Sequence, residues 1–123
     1  MKLPLKRFFI IHSGMRIRKR QENYRYLLEH LPERSDIRPV FPYLSDDICP
    51  MFFPFFVENR DALIKHLADR HIPPKVYWPV PPFVKVEDYP GAQYIYSHIM
   101  SVSCDERFNT DDMQKIVEAF ENY

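Results

Sequence analysis

The sequence predicts an α/β (α+β) fold: a two-layer sandwich in which a small sheet of three or four strands carries about three helices on one face. Two observations predict it. Stretches with apolar residues at three-and-four spacing alternate with short apolar runs of strand length. Caps and prolines punctuate the boundaries between them. At 123 residues the chain fits one domain with one core.

Residues 15–31 read as the first helix. They lack proline and glycine, and Ile17, Tyr24, Leu27, Leu28 and Leu31 share a face. Pro32 stops it. Residues 1–15 are expected as an irregular leader or a short strand, with residues 16–123 forming the domain. Phe8, Phe9, Ile10 and Ile11 follow basic residues in the manner of a signal peptide. That apolar run is short and no small-residue cleavage site follows, so a secretion signal is not expected.

Arg38 to Phe41 is a short strand. Pro50 to Val57 is a buried strand, and Pro54, which lacks a ladder donor, is expected at a sheet edge or a bulge. Asn59 caps a helix to about Arg70 in which Ala62, Leu63, Leu67 and Ile64 face inward. Lys75 to Trp78 is a third strand, followed by an extended loop set by the prolines at 79, 81 and 82. Gly91 to Ile99 is a short helix and Met100 to Ser103 a fourth strand. Asn109 or Thr110 caps the last helix, with Asp111 and Asp112 in its first turn. Met113, Ile116, Val117 and Phe120 form an i, i+3, i+4, i+7 stripe expected to face the sheet.

Composition narrows the chemistry. Apolar residues make up 46% and aromatics 15%, too apolar for disorder. Seventeen basic and seventeen acidic residues cancel, which gives no reason to expect nucleic acid or a membrane surface as partner. Only Gly14 and Gly91 are available, so glycine-rich phosphate loops of the Rossmann and P-loop kinds are excluded. No uncharged stretch reaches the roughly 18 residues a membrane helix needs. Cys49 and Cys104 are expected as free thiols in a reducing cytoplasm.

The reactive side chains favour structural roles. The five histidines and two cysteines show no metal-ligand spacing, and His66 and His71 are too far out of phase to share a helix face. Cys104 with His98 would be a nucleophile pair, but a strand-end cysteine reads better as a small buried hydrophobe. Asp111 and Asp112 are explained by the helix dipole. Arg16, Arg18, Lys19 and Arg20 read as a solvated helix face. The most distinctive feature is the aromatic–proline stretch from Val76 to Phe83. Tyr77, Trp78, Pro79 and Phe83 are the candidate substrate- or interface-facing residues. Trp78 either presents an aromatic wall there or packs beneath the loop.

Four segments occur in a familiar order. RQENYRYLLEHL (20–31) resembles the Arg-x-x-Asn-Tyr-x-x-Leu helix of the DegT/DnrJ/StrS-type sugar aminotransferases. VENRDALIKHLADRHI (57–72) is similar to that family's Arg-x-x-Leu helix and its closing Gly-Ile turn, with His71 in place of the glycine. VYWP (76–79) resembles the strand and Tyr-x-Pro loop that follow, although Pro81 falls roughly where the family carries a histidine. SHIMSVSCDERFNTDDMQKIV (97–117) resembles the closing strand, Arg-Tyr segment and Asp-Met helix. The resemblance covers residues 16–123 and is to the C-terminal small domain of pyridoxal-phosphate (PLP) enzymes with the aspartate aminotransferase fold.

The resemblance implies a detached C-terminal domain. In the family the Schiff-base lysine, the carboxylate that pairs with the pyridine nitrogen, and the phosphate cup belong to the large domain. Lys2, Lys6, Lys19, Lys65, Lys75, Lys85 and Lys115 lack the serine-rich context of that lysine. The expectation is a chain without catalytic, cofactor-binding or metal residues, inert alone. Its expected partner is a second copy of itself or a large aminotransferase domain, with no nucleic acid and no membrane. The alternative is a free-standing protein-interaction module that binds through the Trp78 loop and the Phe52–Phe56 strand.

Overall fold

A computed structural model describes the backbone of residues 5–77 and 79–123 and the side chains of residues 14–77 and 79–123. Trp78 therefore lies outside the described residues. The element order is α1 (Leu5–His30), β1 (Ile37–Pro39), β2 (Phe53–Val57), α2 (Arg60–Ala68), a single 3-10 turn at Val86–Asp88, α3 (Pro90–His98), β3 (Ile99–Val102) and α4 (Thr110–Glu121). All three strands pair antiparallel in the order β1-β2-β3.

The first helix begins at Leu5 rather than Met15. The run of phenylalanine and isoleucine at 8–11 suggests a strand, but no proline interrupts residues 5–30. A single glycine costs a helix only about 1 kcal/mol relative to alanine, too little to break it. Its inward face also differs from expectation. Tyr24 and Leu27 are buried and Leu28 and Leu31 pack beside them, whereas Ile17 is exposed.

Pro54 corrects the strand assignment. β2 is the central strand, not an edge. The Pro54 carbonyl accepts from the Val40 N–H at 3.0 Å, so its imide nitrogen faces the β1 side. Val40 is already past the end of β1. The missing donor thus falls where the ladder stops, and one bond is lost at its end rather than in its middle. Alternation along the same ladder turns the nitrogen of Pro39 outward, away from β2. Lys75 to Trp78 does not make a full strand. A reciprocal pair of backbone bonds joins Lys75 to Ser101 as an isolated bridge, the only strand-like pairing of that segment among the described residues.

Period-two alternation gives the sheet two unlike faces. Ile37, Phe53, Phe55, Val57, Met100 and Val102 point inward and are buried. Residues from α1, α2 and α4 join them in one core, in which the Phe120 ring meets Phe55 edge-on at 5.3 Å and Tyr24 lies 4.8 Å from Phe53. Arg38, Pro54, Phe56, Ile99 and Ser101 point the other way. The fourth helix, α3, lies on that outer side, its Tyr94 ring 5.8 Å from Phe56.

Local signals set the helix ends. Asn59 accepts from the Ala62 N–H at the start of α2. Asn109 and Asp112 close a reciprocal capping box on α4. The end of α2 is a left-handed turn: Ile72 N–H donates to Leu67 and His71 N–H to Ala68, with His71 at φ 59°. That conformation crowds any side-chain Cβ and favours glycine.

Two substitutions test this architecture. Phe120→Ala should cost about 3–5 kcal/mol in urea unfolding, because it empties the junction of α4 and the sheet; a loss under about 1 kcal/mol would mean that the α4 stripe is not core. His71→Gly should raise stability by about 0.5–1 kcal/mol by relieving the left-handed residue, read as a higher denaturant midpoint with unchanged slope.

Candidate functional site

The residues that shape the candidate surface sit on α1. Arg20, Gln21, Asn23, Tyr24 and Arg25 occupy little more than one turn and donate to main-chain carbonyls of two loops. Gln21 reaches Asp46 and Ile48 at 2.9 and 2.8 Å, the Tyr24 hydroxyl reaches Phe41 at 2.8 Å, and Arg25 reaches Leu44 at 3.2 Å. Asn23, fully buried, donates its amide toward Cys104, Asp105 and Phe108 at 3.0–3.3 Å. Arg20 joins both loops. It donates to Pro50 and Met51 and pairs with Asp105 and with Glu106. Arg20 is therefore not part of a solvated face; its side chain is 19% exposed. Sequence reasoning assigned it by its neighbours, and only the Arg-x-x-Asn-Tyr pattern set it apart.

This scaffold ties loop 40–52 to α1, with Leu44 of the loop buried in the core. Phe41, Tyr43, Ile48 and Met51 remain exposed around a concavity of about 430 Å3 that Phe52 and Pro54 also line. Phe52 and Pro54 extend the same surface into a small cleft with Tyr77 and Ile99. The Phe52 and Tyr77 rings stack at 4.5 Å. The result is a continuous apolar strip from Tyr43 to Tyr77.

Of the sequence-selected residues, Tyr77 joins this strip and is 44% exposed. Pro79 is exposed. Phe83 is 88% exposed, beside a turn closed by Val84 N–H on Pro81. Trp78 is outside the described residues. Phe41, Tyr43 and Met51 were missed. Their signal was three apolar residues scattered through a polar, proline-flanked loop, which periodicity does not register.

The Cys104–His98 nucleophile pair is not assembled. Cys104 is fully buried with its Sγ 4.0 Å from the Pro50 carbonyl, and burial pushes its thiol from 9.0 up to about 12. His98 Nδ1 donates to the Tyr94 carbonyl at 2.7 Å, while its Nε2 faces Glu58 at 3.8 Å. Asp112 serves the α4 cap, and the Asn109 N–H holds its carboxyl below the usual range. His66 Nε2 donates to Ala119, tying α2 to α4. Among the described residues no three His, Cys, Asp or Glu side chains converge as metal ligands.

Five of the seven lysines have described side chains. Lys65, Lys75, Lys85 and Lys115 are exposed, and Lys65 and Lys115 form surface ion pairs with Asp69 and Asp112. Lys19 is half-buried on α1. Among these five described lysines, none stands in an enclosed pocket with a carboxylate placed for a pyridine nitrogen.

The fold and its sequence have relatives among known proteins. The pattern of the DegT/DnrJ/EryC1/StrS aminotransferase family matches residues 12–121. The chain belongs to that family. It is 25% identical over 114 residues to the dTDP-3-amino-3,6-dideoxy-alpha-D-galactopyranose transaminase of Aneurinibacillus thermoaerophilus, covering 85% of this chain and 31% of the transaminase. Its fold matches a sugar aminotransferase of Micromonospora echinospora with a TM-score of 0.77 at 17% identity, over 92% of this chain and 32% of the other. It also matches DesV of S. venezuelae, solved with a ketimine intermediate, at 0.76 and 20% identity, over 94% and 34%. The chain thus spans about a third of the length of these family members.

Titration should expose the buried clamp. Burial raises both Cys104 and Tyr24, the latter from 10.0 to about 12. A folded-state pKa above the unfolded one means that the native state holds its proton longer. Stability contributed by these groups is intact below pH 9, falls as pH rises between 9 and 12, and is gone above it. Urea midpoints should drop across that window. Cys49, which is exposed, should react with a thiol reagent at once, and Cys104 only on unfolding.

Proposed function

We propose that this chain acts as the C-terminal small domain of a PLP-dependent sugar aminotransferase and is catalytically inert by itself. The observation that carries the reading is the family match over residues 12–121 in a chain that spans about a third of its relatives. The surface placement of its lysines supports it. The apolar strip on the outer face is the docking surface in this reading. It meets a large, cofactor-bearing domain or, in its absence, a second copy of the chain. Contiguous apolar surface on a monomer is ordinarily limited to a few hundred Å2, and a larger patch marks an interaction site. We assign the chain to the reducing cytoplasm. Both cysteines are free, and no helix among the described residues is long and apolar enough to cross a membrane.

The strong exposure of Phe83 favours a second reading as a stand-alone interaction module. Two measurements decide. Incubation of the purified chain with pyridoxal phosphate should give no borohydride-sensitive imine band beyond that of surface lysines; a stoichiometric band would overturn the inert reading. Sedimentation equilibrium should show concentration-dependent association that Met51→Asp weakens. A strict monomer at high micromolar concentration would favour the stand-alone module.

A further inference from the structure

The apolar strip has two unlike ends. At one end lies the concavity of about 430 Å3, lined by Phe41, Tyr43, Ile48 and Met51 among others. At the other end the chain leaves Tyr77 for the proline-rich stretch that runs to Phe83. Phe52 and Pro54 line both the concavity and the cleft beside Tyr77, so they mark the middle of the strip.

Phe83 is a projecting anchor. Val84 N–H donates to the Pro81 carbonyl at 3.0 Å and closes a four-residue turn. Pro82 takes the second position of that turn, where its fixed φ favours the bend in advance. Phe83 follows at the tip and is 88% exposed, more than any other large apolar residue described. An aromatic ring on a stiff turn loses little entropy on docking and buries much apolar surface.

The concavity suits such an anchor. Its rings and the flexible side chain of Met51 can close around an inserted aromatic group. Aromatic-lined grooves also seat proline-rich segments. Charge agrees. Loop 40–52 carries Asp46 and Asp47 and no lysine or arginine, whereas residues 75–85 carry Lys75 and Lys85 and no carboxylate. Asp46 pairs with Arg25. Asp47, Lys75 and Lys85 enter no ion pair among the described residues. Phe83 does not line the concavity of its own molecule.

On the reading of this strip as a docking surface, we propose that its occupant is a second copy of the chain and that the two copies exchange their proline segments. Phe83 of each copy seats in the concavity of the other. A two-fold axis at the middle of the strip lays the two strips antiparallel. The Tyr77 end of one copy then lies over the Tyr43 end of the other, and one symmetry operation forms both contacts. Six residues carry the chain from Tyr77 to Phe83, a reach of at most about 20 Å. Each segment brings Lys85 toward the acidic rim of loop 40–52, which steers the encounter.

The test is sedimentation equilibrium on the purified chain and on two variants at exposed positions, Phe83→Ser and Met51→Asp. Both should retain the native circular dichroism. Each should weaken dimerisation about hundredfold, because two symmetric contacts are lost at about tenfold apiece. An equimolar mixture of the two variants should dimerise about tenfold more tightly than either alone. In the mixed dimer the Phe83 of the Met51→Asp chain meets the intact concavity of the Phe83→Ser chain, so one contact returns. Association that Met51→Asp weakens and Phe83→Ser does not, or a mixture no tighter than its components, would overturn the exchange and leave the strip to another occupant, such as a large aminotransferase domain. A strict monomer at high micromolar concentration would overturn the exchange and the docking reading together.

Discussion

The structure depends on a short polar patch of α1 that serves the backbone of other segments. Arg20, Gln21, Asn23, Tyr24 and Arg25 donate to carbonyls on loop 40–52 and on the turn at 104–108. A loop of this length would otherwise be costly to order, at roughly 1–2 kcal/mol of backbone entropy per residue, against about 1 kcal/mol returned per hydrogen bond. The bonds alone do not cover that cost. Leu44 is buried beneath the loop, and Pro42 and Pro50 restrict the unfolded chain before it folds. Arg20 matters most because it ties both loops through one guanidinium. Its loss would free the two segments together, leave Glu106 partly buried without its partner and leave Asp105 to Arg107 alone.

What the sequence showed depends on whether the signal was local. The stripe and cap of α4 are local, and Met113, Ile116, Val117 and Phe120 are all buried as their spacing requires. Asn59 and the inward Leu63 and Leu67 follow the same logic. Pro54 shows the limit. The missing donor argued for an edge, but the relevant fact was the length of β1, which ends before it reaches the proline. Strand partners are nonlocal, and nothing in residues 50–57 reports them. The donor roles of Arg20, Gln21, Asn23 and Arg25 were equally hidden, since an inward glutamine or asparagine looks in sequence like a solvated one. Family resemblance, not periodicity, pointed to Asn23, whereas Tyr24 stood on the face that three-and-four spacing marks. In the candidate surface Tyr77 and the Phe52–Phe56 strand were legible. The exposed side chains of loop 40–52 carry no period because a loop has none.

The two faces of the sheet explain why the exposed surface is apolar. An antiparallel sheet covered on one side by helices ordinarily alternates apolar and polar residues along each strand. β2 does not alternate. Phe53, Phe55 and Val57 face the core, and Pro54 and Phe56 on the other face are apolar as well. Ile99 of β3 continues that outer face, where Arg38 and Ser101 supply the polar groups. Among the described helices only α3 lies over it, through Tyr94, which packs on Phe56 and accepts from Arg38. A strand apolar on both faces belongs to a sheet with a layer on each side. One layer is complete here, in α1, α2 and α4, and the other is the single short helix α3. The strip from Tyr43 to Tyr77 is the part of the outer face that α3 leaves open. The α1 donors hold loop 40–52 in place, so a partner that docks on its exposed side chains would meet a preformed surface and need not order the loop on binding.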